Sequence, residues 1–353
     1  MSGEERRRAR KAATGGRPTH GPITLEDVAR EAGVSRTSAS RVMLGQGKVT
    51  DETRRKVWAA AERLGYVTNV IARELASGGS STVGLLLRDA ANPAYGLLFT
   101  RLQKAAHEAD LTLVTLTVSD DDRGRKQVSS LHRLMGMRVA GLVVATGGVT
   151  SEQLEPFRRR IPIIRSGRPE TTAAIHAVSY DEEDAARRLA THVASHGHRD
   201  VAVLVTAEPV SYPEYVRGAT MAAVLAEHGV RVRPVEVSGP LDGVEQVISW
   251  AARGEITAIM CPTDTRQLHV LRAAAAAGLD VPGDVSVSGC DGVLPGADLL
   301  GLTTYRIPVE EVAQRTIRNI IRLVGDSPPD GVLQERVPGT LVPGRTVGPP
   351  PRR

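Results

Sequence analysis

The 353-residue sequence predicts two kinds of fold in one chain: an N-terminal all-α helix-turn-helix domain, then an α/β domain whose two lobes each contain a doubly wound parallel sheet. Three observations predict this arrangement. Short helical segments with capping residues occupy residues 23–65, apolar strands alternate with amphipathic helices from residue 82 onward, and the excess positive charge lies in the first segment alone.

The first predicted helix is marked at both ends. Thr24 followed three residues later by Asp27 is a capping signal. The apolar residues after the cap share one helical face: Leu25, Val28, Ala29 and Ala32. Gly33 can adopt the left-handed conformation that ends a helix. We therefore expect a helix that begins at about Leu25 and stops before Gly33.

A second and a third helix follow at short spacing. Ser35 can cap a helix that runs through Val42, and so tight a turn after the first helix makes the two cross steeply. The outer face of the second helix carries polar side chains: Arg36, Thr37, Ser40 and Arg41. This pattern is typical of a helix-turn-helix, whose second helix lies in the major groove of DNA. A third helix begins at Thr50 and ends at Gly65.

The charge distribution agrees with contact between the N-terminal segment and a polyanion. Residues 1–79 contain 15 Lys and Arg against 9 Asp and Glu, whereas residues 80–353 contain 30 against 31. The formal excess therefore lies on the helix-turn-helix segment and the tail before it, which favours nucleic acid as a partner. Residues 1–22 are basic and without periodicity, so we expect a disordered tail that either adds nonspecific phosphate attraction or does nothing.

The remainder of the chain alternates strands and helices. Seven strands are predicted at residues 82–88, 111–118, 139–145, 161–166, 201–205, 256–260 and 285–288. Eight helices are predicted at residues 94–109, 123–135, 152–160, 181–196, 213–228, 244–253, 263–277 and 309–324, with short strands after them. Alternation of this kind predicts parallel sheets covered on both faces. Two such lobes in tandem predict a ligand cleft between them, at the carboxyl ends of the strands.

Composition excludes several protein classes. No apolar run is long enough to cross a bilayer, and no apolar segment follows the N-terminal arginines, so we expect neither export nor a membrane partner. Only Cys261 and Cys290 are present, which fits a reducing compartment. These features predict a cytoplasmic, nucleoid-associated protein.

Motifs for metal binding or catalysis are weak. His192, His196 and His198 have a metal-like spacing, but the zinc-protease glutamate is missing and a helix-end interpretation is favoured. Residues 120–122 are three aspartates that are more simply an exposed helix cap than a cation site. Gly147 and Gly148 lack the Lys-Ser/Thr of a phosphate loop, and no nucleophile motif is present. We predict no catalytic residue, no metal and no cofactor, hence not an enzyme.

One string of residues in the N-terminal segment carries a family resemblance. It comprises T-L-x-D-V-A-x-x-A-G-V-S at residues 24–35, S-R-V at 40–42, V-T-x-E-T-R at 49–54, L-G-Y at 64–66, Asn69, Ala72-Arg73 and Leu75. This string resembles the lactose-repressor (LacI/GalR) family of bacterial transcription regulators. The resemblance implies that Asn69 to about Ser77 form a hinge helix in the minor groove beside its dimer mate, with Leu75 as a wedge. So short a helix needs a partner helix and DNA to be stable.

The chain after the hinge resembles the same family, whose effector domain is similar to periplasmic sugar-binding proteins. The matching motifs are Asn92-Pro93, Gly167-Arg168-Pro169, Gly197-His198-Arg199, Thr263-Asp264, Asp284-Val285-Ser286-Val287, Leu302-Thr303-Thr304 and Arg345. The resemblance implies a two-lobed, periplasmic-binding-protein-like effector domain in which Arg168, Asp264 and Asp291 reach the cleft and Tyr95 forms an apolar wall. Asp264 could equally be an ordinary helix cap.

The chain departs from the family pattern at four places. Thr68 replaces the usual proline before the hinge, and Leu44 replaces the asparagine after the second helix. Tyr215 stands where an arginine is usual, with Arg217 displaced toward the following glycine, and Cys290 stands where an aromatic is common. A pocket altered at these positions does not identify the effector, which could be an unusual sugar, another small molecule or nothing.

These expectations define a function and its residues. The chain is predicted to be a sequence-specific DNA-binding repressor of sugar-utilisation genes. It is expected to bind a pseudo-palindromic operator of double-stranded DNA as a homodimer and to be controlled by a small-molecule effector, with a sugar as the first choice. The alternative is a solute-binding protein, or a regulator with a non-sugar effector or none. Predicted DNA-binding residues are Thr24, Ser35, Arg36, Thr37, Ser40, Arg41, Lys48, Thr50, Asn69, Ala72 and Leu75. Predicted effector-binding residues are Tyr95, Arg168, Tyr215, Asp264 and Asp291. The predicted domains are the tail 1–22, the helix-turn-helix 23–68, the hinge helix and linker 69–81, the effector domain 82–347 and a tail 348–353.

Overall fold

The computed structural model describes residues 23–45, 47–67, 82–118, 125–325 and 328–352. The chain forms two compact units that divide between Ser80 and Ser81. The predicted basic tail, the hinge residues Asn69, Ala72 and Leu75, and the aspartates at 120–122 lie outside the described residues.

The first unit contains three helices: α1 (Leu25–Ala32), α2 (Arg36–Leu44) and α3 (Asp51–Leu64). Each is capped by the residue that the sequence predicts. Thr24 and Asp27 form a capping box on α1, and Ser35 and Thr50 accept backbone hydrogen bonds at the starts of α2 and α3. Gly33 has a φ of 64°, a conformation that costs glycine little, so α1 ends there and α2 follows within three residues.

A small apolar core fixes the steep crossing of these helices. Its fully buried members are Val28 of α1, Ala39 of α2, and Val57 and Ala60 of α3. Small side chains at the crossing allow the helices to approach closely. The predicted helix-turn-helix is therefore confirmed in the first unit.

The second unit begins with a lobe built on six parallel strands. The strands are β1 (Thr82–Leu87), β2 (Thr112–Thr117), β3 (Gly141–Ala145), β4 (Ile163–Ser166), β5 (His176–Tyr180) and β11 (Gln334–Val337), in the order β11-β5-β4-β3-β1-β2. Four helices pack beside this sheet: α4 (Pro93–Glu108), α5 (Arg125–Gly136), α6 (Ser151–Arg158) and α12 (Val309–Val324). β1 and β3 are buried along their whole length because helices cover both faces.

A second lobe contains a four-stranded parallel sheet in the order β7-β6-β8-β9. Its strands are β6 (Asp200–Thr206), β7 (Arg231–Val237), β8 (Ala258–Met260) and β9 (Ser286–Ser288). Its helices are α7 (Glu182–Ser195), α8 (Tyr212–Glu227), α9 (Val244–Ala252), α10 (Asp264–Ala276) and the short α11 (Ala297–Leu300). The chain returns to the first lobe through β10 (Thr304–Arg306), which pairs with β12 (Thr340–Val342) in an antiparallel ribbon.

The parallel, two-lobed α/β architecture confirms the predicted fold class, but two strands were missed. β7 was not predicted because it carries Pro234 and three charged residues, Arg231, Arg233 and Glu236. A proline within a strand is tolerated at the edge of a sheet, where this strand lies. β5 was not predicted because it has five residues and begins with His176. Close packing also continues into the predicted C-terminal tail, since buried Gly348 bonds to His198 and Ser286.

In the described part of the chain, no helix is both long and apolar enough to span a membrane.

Candidate DNA-binding surface and ligand cleft

The exposed face of α2 carries the side chains that the sequence assigned to DNA. Arg36, Thr37 and Arg41 are exposed and Ser40 is half-buried, while the opposite face of the helix packs inward. Lys48 is also exposed. The hydroxyls of Thr24, Ser35 and Thr50 serve as helix caps, so these residues fix the ends of the helices that form the surface.

The cations of this unit fall into two groups. Four of them pair with acids of the same unit: Arg30 with Asp27 at 3.1 Å, Arg54 with Asp51 at 3.7 Å, Lys56 with Glu52 at 2.8 Å and Arg63 with Glu31 at 3.2 Å. Among residues 23–45 and 47–67, no ion pair involves Arg36, Arg41 or Lys48. Their charges are therefore available to phosphates and base edges.

A cleft lies in the second unit where strands of both sheets end. It is concave and lined by polar, charged and aromatic side chains, which are the features of small-molecule sites. Its lining comes mostly from the segments that follow strands: Asn92, Ala94, Tyr95, Leu98, Gly167, Tyr180, Glu182, Ser211, Pro213, Glu214, Arg217, Thr263, Asp291 and Ile307. The carboxyl ends of parallel strands thus form this cleft, as the sequence predicts.

Arg217 is the centre of an ionic network on one side of the cleft. It is 3% exposed, and its Nη2 lies 2.7 Å from Glu182 Oε2. Its Nη1 lies 3.1 Å from Asp291 Oδ1 and also donates to the carbonyl of Pro262. Burial raises the pKa of Glu182 and raises that of Asp291 well above its usual range, while Arg217 opposes both shifts.

Asp291 has an unusual backbone conformation. Its φ is 112°, which L-residues rarely adopt and which costs on the order of 1–3 kcal/mol. Two hydrogen bonds hold it there: its N–H donates to Tyr305 O at 3.1 Å, and Ile307 N–H donates to its carbonyl at 3.0 Å. These bonds join the end of β9 to the strand that leads back to the first lobe. Strained residues held in this manner cluster at binding sites.

Asp264 supports the cleft from behind. It is 1% exposed, and it accepts hydrogen bonds from Thr304 Oγ1 at 2.6 Å and from Gly292 N at 2.7 Å. Burial raises its pKa to about 6. Thr263, not Asp264, is the cap of α10. The carboxylate therefore orients the loop that carries Asp291.

Arg168 and Arg165 share one carboxylate in the first lobe. Arg165 Nε lies 2.5 Å from Glu170 Oε2, and both side chains are fully buried. Arg168 Nη1 lies 4.0 Å from the same oxygen, and its guanidinium stands 4.8 Å from the ring centroid of Tyr212, a residue of the second lobe. Nε and Nη1 of Arg168 are buried and have no hydrogen-bond partner among the described residues.

The structure brings some predicted effector residues to the cleft and leaves others beside it. Tyr95 and Asp291 belong to the lining; Asp264 lies directly behind it, and Arg168 contacts Tyr212. Tyr215 is half-buried and is not part of the lining. Sequence reasoning missed Arg217, Glu182 and Glu214. The displaced arginine before Gly218 was the available signal for Arg217, because a buried charge needs a partner.

The three histidines have structural partners. His196 Nδ1 contacts the carbonyl of His192 at 2.8 Å, and His198 bridges Thr257 Oγ1 at 2.8 Å and Gly348 O at 2.9 Å. The described ranges hold no group of three or more His, Cys, Asp or Glu placed to bind a metal ion.

The comparisons with known proteins agree with this architecture. A family described as "Bacterial regulatory proteins, lacI family" matches residues 24–69, and a "Periplasmic binding protein-like domain" matches residues 190–347. Catabolite control protein A of Priestia megaterium is 34% identical over 277 residues, which cover 76% of this chain and 82% of that protein.

Two solved structures share the fold. The lac repressor dimer bound to operator and the anti-inducer ONPF aligns with a TM-score of 0.79 at 24% identity, covering 93% of this chain and 100% of that one. The transcriptional regulator CelR in complex with cellobiose aligns with a TM-score of 0.64 at 22% identity, covering 92% and 99%.

The fold defines a class of protein. A helix-turn-helix followed by a two-lobed domain with a cleft is typical of DNA-binding proteins whose second domain is of a kind that binds small molecules. The family match and the 34% identical relative make the assignment more specific. The chain belongs to the lacI family of bacterial regulatory proteins. It is a DNA-binding transcription regulator, and the predicted resemblance is confirmed.

Proposed function

We propose that this regulator binds a pseudo-palindromic operator as a homodimer and represses sugar-utilisation genes until an effector enters the cleft. The observation that carries the DNA half of the proposal is the pair of guanidinium groups on the exposed face of α2 that have no ion-pair partner among the described residues. Arg36 and Arg41 are separated by about one and a half turns of a capped helix. This separation along the helix axis is long enough for the two side chains to reach neighbouring base pairs. Lys48 and the start of α3 would hold phosphates.

The hinge belongs to the proposal although its residues lie outside the described ones. Asn69, Ala72 and Leu75 match the family string, and a minor-groove wedge at Leu75 would bend the operator. A dimer would place two α2 helices about one DNA turn or more apart. The solved lac repressor is a dimer bound to its operator, which supports the same assembly here.

The effector half rests on the cleft. It is closed by residues of both lobes, so a ligand there contacts both and can favour one lobe arrangement over another. Coupling of about 1–3 kcal/mol between effector and operator suffices for a regulatory response. The sugar in the CelR structure favours a sugar as the first candidate. The protein would act in the cytoplasm, where DNA is, and needs no catalytic step.

Replacing Arg36 or Arg41 with alanine should weaken operator binding by about 1–3 kcal/mol and relax the base preference, since a bidentate contact to a base edge is lost. The measurement is a titration of the full chain against an operator selected from a randomised library, in parallel with unrelated DNA. Arg63→Ala is the matched control, because Arg63 is paired with Glu31 in the same unit. Equal losses on operator and unrelated DNA would argue against base readout.

Replacing Arg168 with alanine should remove the response to the effector. Its donors without partners are available to a ligand, and its contact with Tyr212 links the two lobes. The measurement is reporter transcription from the operator during growth on a panel of single sugars. Repression without sugar should persist in the variant. Arg159→Ala, which removes an exposed cation of the same lobe, is the control. A variant that responds to the same sugar as the unaltered protein would show that the assignment of Arg168 is wrong.

A further inference from the structure

The lining of the cleft has more carboxylates than cations. Glu182, Glu214 and Asp291 line it, and Asp264 lies directly behind. Arg217 is the single cation in the lining that the structure describes. A ligand that enters this space therefore meets an excess of negative charge close to low-dielectric walls, where charge is poorly screened.

Arg217 cannot neutralise this excess, because its donors are already committed. Its Nε and Nη2 both bond to Glu182 Oε2, at 2.8 and 2.7 Å. Its Nη1 is divided between Asp291 Oδ1 and the carbonyl of Pro262. Glu214 lies outside this network and accepts from the neutral hydroxyl of Thr206 at 2.9 Å.

One acceptor in the cleft has nothing to bind. Glu182 is 3% exposed, and its Oε1 is buried with no hydrogen-bond partner within the described residues. A buried carboxylate oxygen without a donor is costly, and native proteins rarely leave one unless a ligand or ion supplies the donor. Glu182 belongs to the lining of the cleft, so a bound ligand can reach this oxygen.

Aromatic side chains stand on the same cavity. Tyr95 and Tyr180 line it. Aromatic residues are scarce in this chain, which has 2 Phe, 6 Tyr and 2 Trp, so two in one lining are notable. The faces of aromatic rings attract cations and also pack against sugar rings. Carboxylates beside tyrosines form a lining that suits a positively charged, hydroxyl-rich molecule.

We propose that the ligand of this cleft is a compact polyol that carries an ammonium group, as amino sugars do, with the ammonium beside Glu182. An ammonium group is a donor of three hydrogen bonds and accepts none, so it satisfies the unpartnered oxygen and offsets the surplus charge together. The inference rests on the proposed function, in that the cleft must be the effector site.

Other ligand classes fit the lining less well. A neutral sugar offers hydroxyl donors but leaves the negative charge uncompensated. An anionic sugar acid or sugar phosphate would be repelled by Glu182, Glu214 and Asp291 while Arg217 is already paired. The other nearby cation, Arg168, is not part of the lining and lies 4.0 Å from the carboxylate of Glu170. Burial raises the pKa of Glu182 and of Asp291 because it disfavours their charged forms, and a bound cation would favour those charged forms.

The test compares ligands that differ in one group. Glucosamine, galactosamine and mannosamine are titrated into the full chain by calorimetry at pH 6.5, each beside the parent sugar and its N-acetyl derivative. At least one amine should bind about tenfold or more tightly than its two neutral counterparts, as charge-assisted hydrogen bonds require. Glu182→Gln should reduce that ratio to near one, because it removes the charge beside the ammonium and keeps the shape. Glu214→Gln, which removes a neighbouring charge of the lining, should reduce the ratio in part. Glu227→Gln, at the exposed far end of the same helix, should leave the ratio unchanged.

The result that overturns the inference is equally definite. Three results would each refute it: absence of amine binding, equal affinity of every amine and its two neutral counterparts, or tighter binding of gluconate or glucose 6-phosphate than of every amine. The same protein samples are titrated with operator DNA. Intact DNA binding with no amine preference would refute the ligand class alone, whereas loss of DNA binding in unaltered protein would refute the proposed function.

Discussion

Replacing Glu170 with alanine is expected to reduce the free energy of unfolding of the second unit by about 3–5 kcal/mol, because removal of one partner leaves a buried charge uncompensated. Glu170 Oε2 is the ion-pair partner of Arg165, and both side chains are fully buried. Arg168 also lies 4.0 Å from it. Without this carboxylate two guanidinium groups would share a buried site with no anion, and burial already lowers the pKa of Arg165 to about 10.

Urea denaturation followed by circular dichroism measures the effect. Glu155→Ala is the matched control: it removes a glutamate of the same lobe that pairs with Arg158 and Arg159 at the surface, and it should change stability little. A Glu170 variant as stable as the Glu155 variant would contradict the buried-pair interpretation.

Glu170 also affects the cleft, through the loop that follows β4. Its Oε1 accepts hydrogen bonds from the backbone of Thr171 and Thr172 and from Ser151 Oγ, so it organises the turn after Gly167 and Arg168. Gly167 belongs to the lining, and a Cβ at that position would lie 3.1 Å from Tyr180. Partial loss of effector response in the Glu170 variant should therefore accompany the loss of stability.

Local signals explain why the helix-turn-helix could be predicted closely from sequence. Thr24, Ser35 and Thr50 each cap the helix that follows them, and a glycine ends each helix. Helix caps depend only on residues that are close in the sequence, so the ends of these helices can be predicted from the sequence alone. The alternation of strands and helices is also local, and α12 was predicted with the bounds that it has, Val309–Val324.

The ligand cleft could be predicted in place but not in detail, because its chemistry depends on distant residues. Glu182 and Arg217 are 35 residues apart, and Arg217 and Asp291 are 74 apart. Neither spacing carries a sequence signal. The displacement of Arg217 relative to the family pattern was visible, but which carboxylates it would reach depended on the packing of α7 against α8 and on the strained turn at Asp291.

Replacing Arg217 with methionine should be the most damaging change in the cleft, with a loss of about 3–5 kcal/mol at neutral pH. Methionine fills much of the space but leaves Glu182 and Asp291 buried without a cation. Burial already raises the pKa of both carboxyls, and Arg217 is what opposes the rise, so its removal should raise both values further. The negative charges of Glu214 and Asp264 also raise the pKa of Asp291.

The pH dependence of that variant gives the sharper test. A carboxyl whose folded pKa is raised binds more protons in the folded state than in the unfolded state, so its contribution to stability is complete below the unfolded pKa of about 4 and is lost as the pH rises through the folded value. The Arg217→Met variant should therefore lose stability as the pH rises from the unfolded pKa of about 4 toward neutral pH, by more than the unaltered chain does. Arg231→Met, which breaks an exposed pair with Asp200, should show the slope of the unaltered chain. Parallel slopes for all three proteins would mean that Arg217 does not hold the charge of Glu182 and Asp291, and the ionic network of the cleft would have to be reassigned.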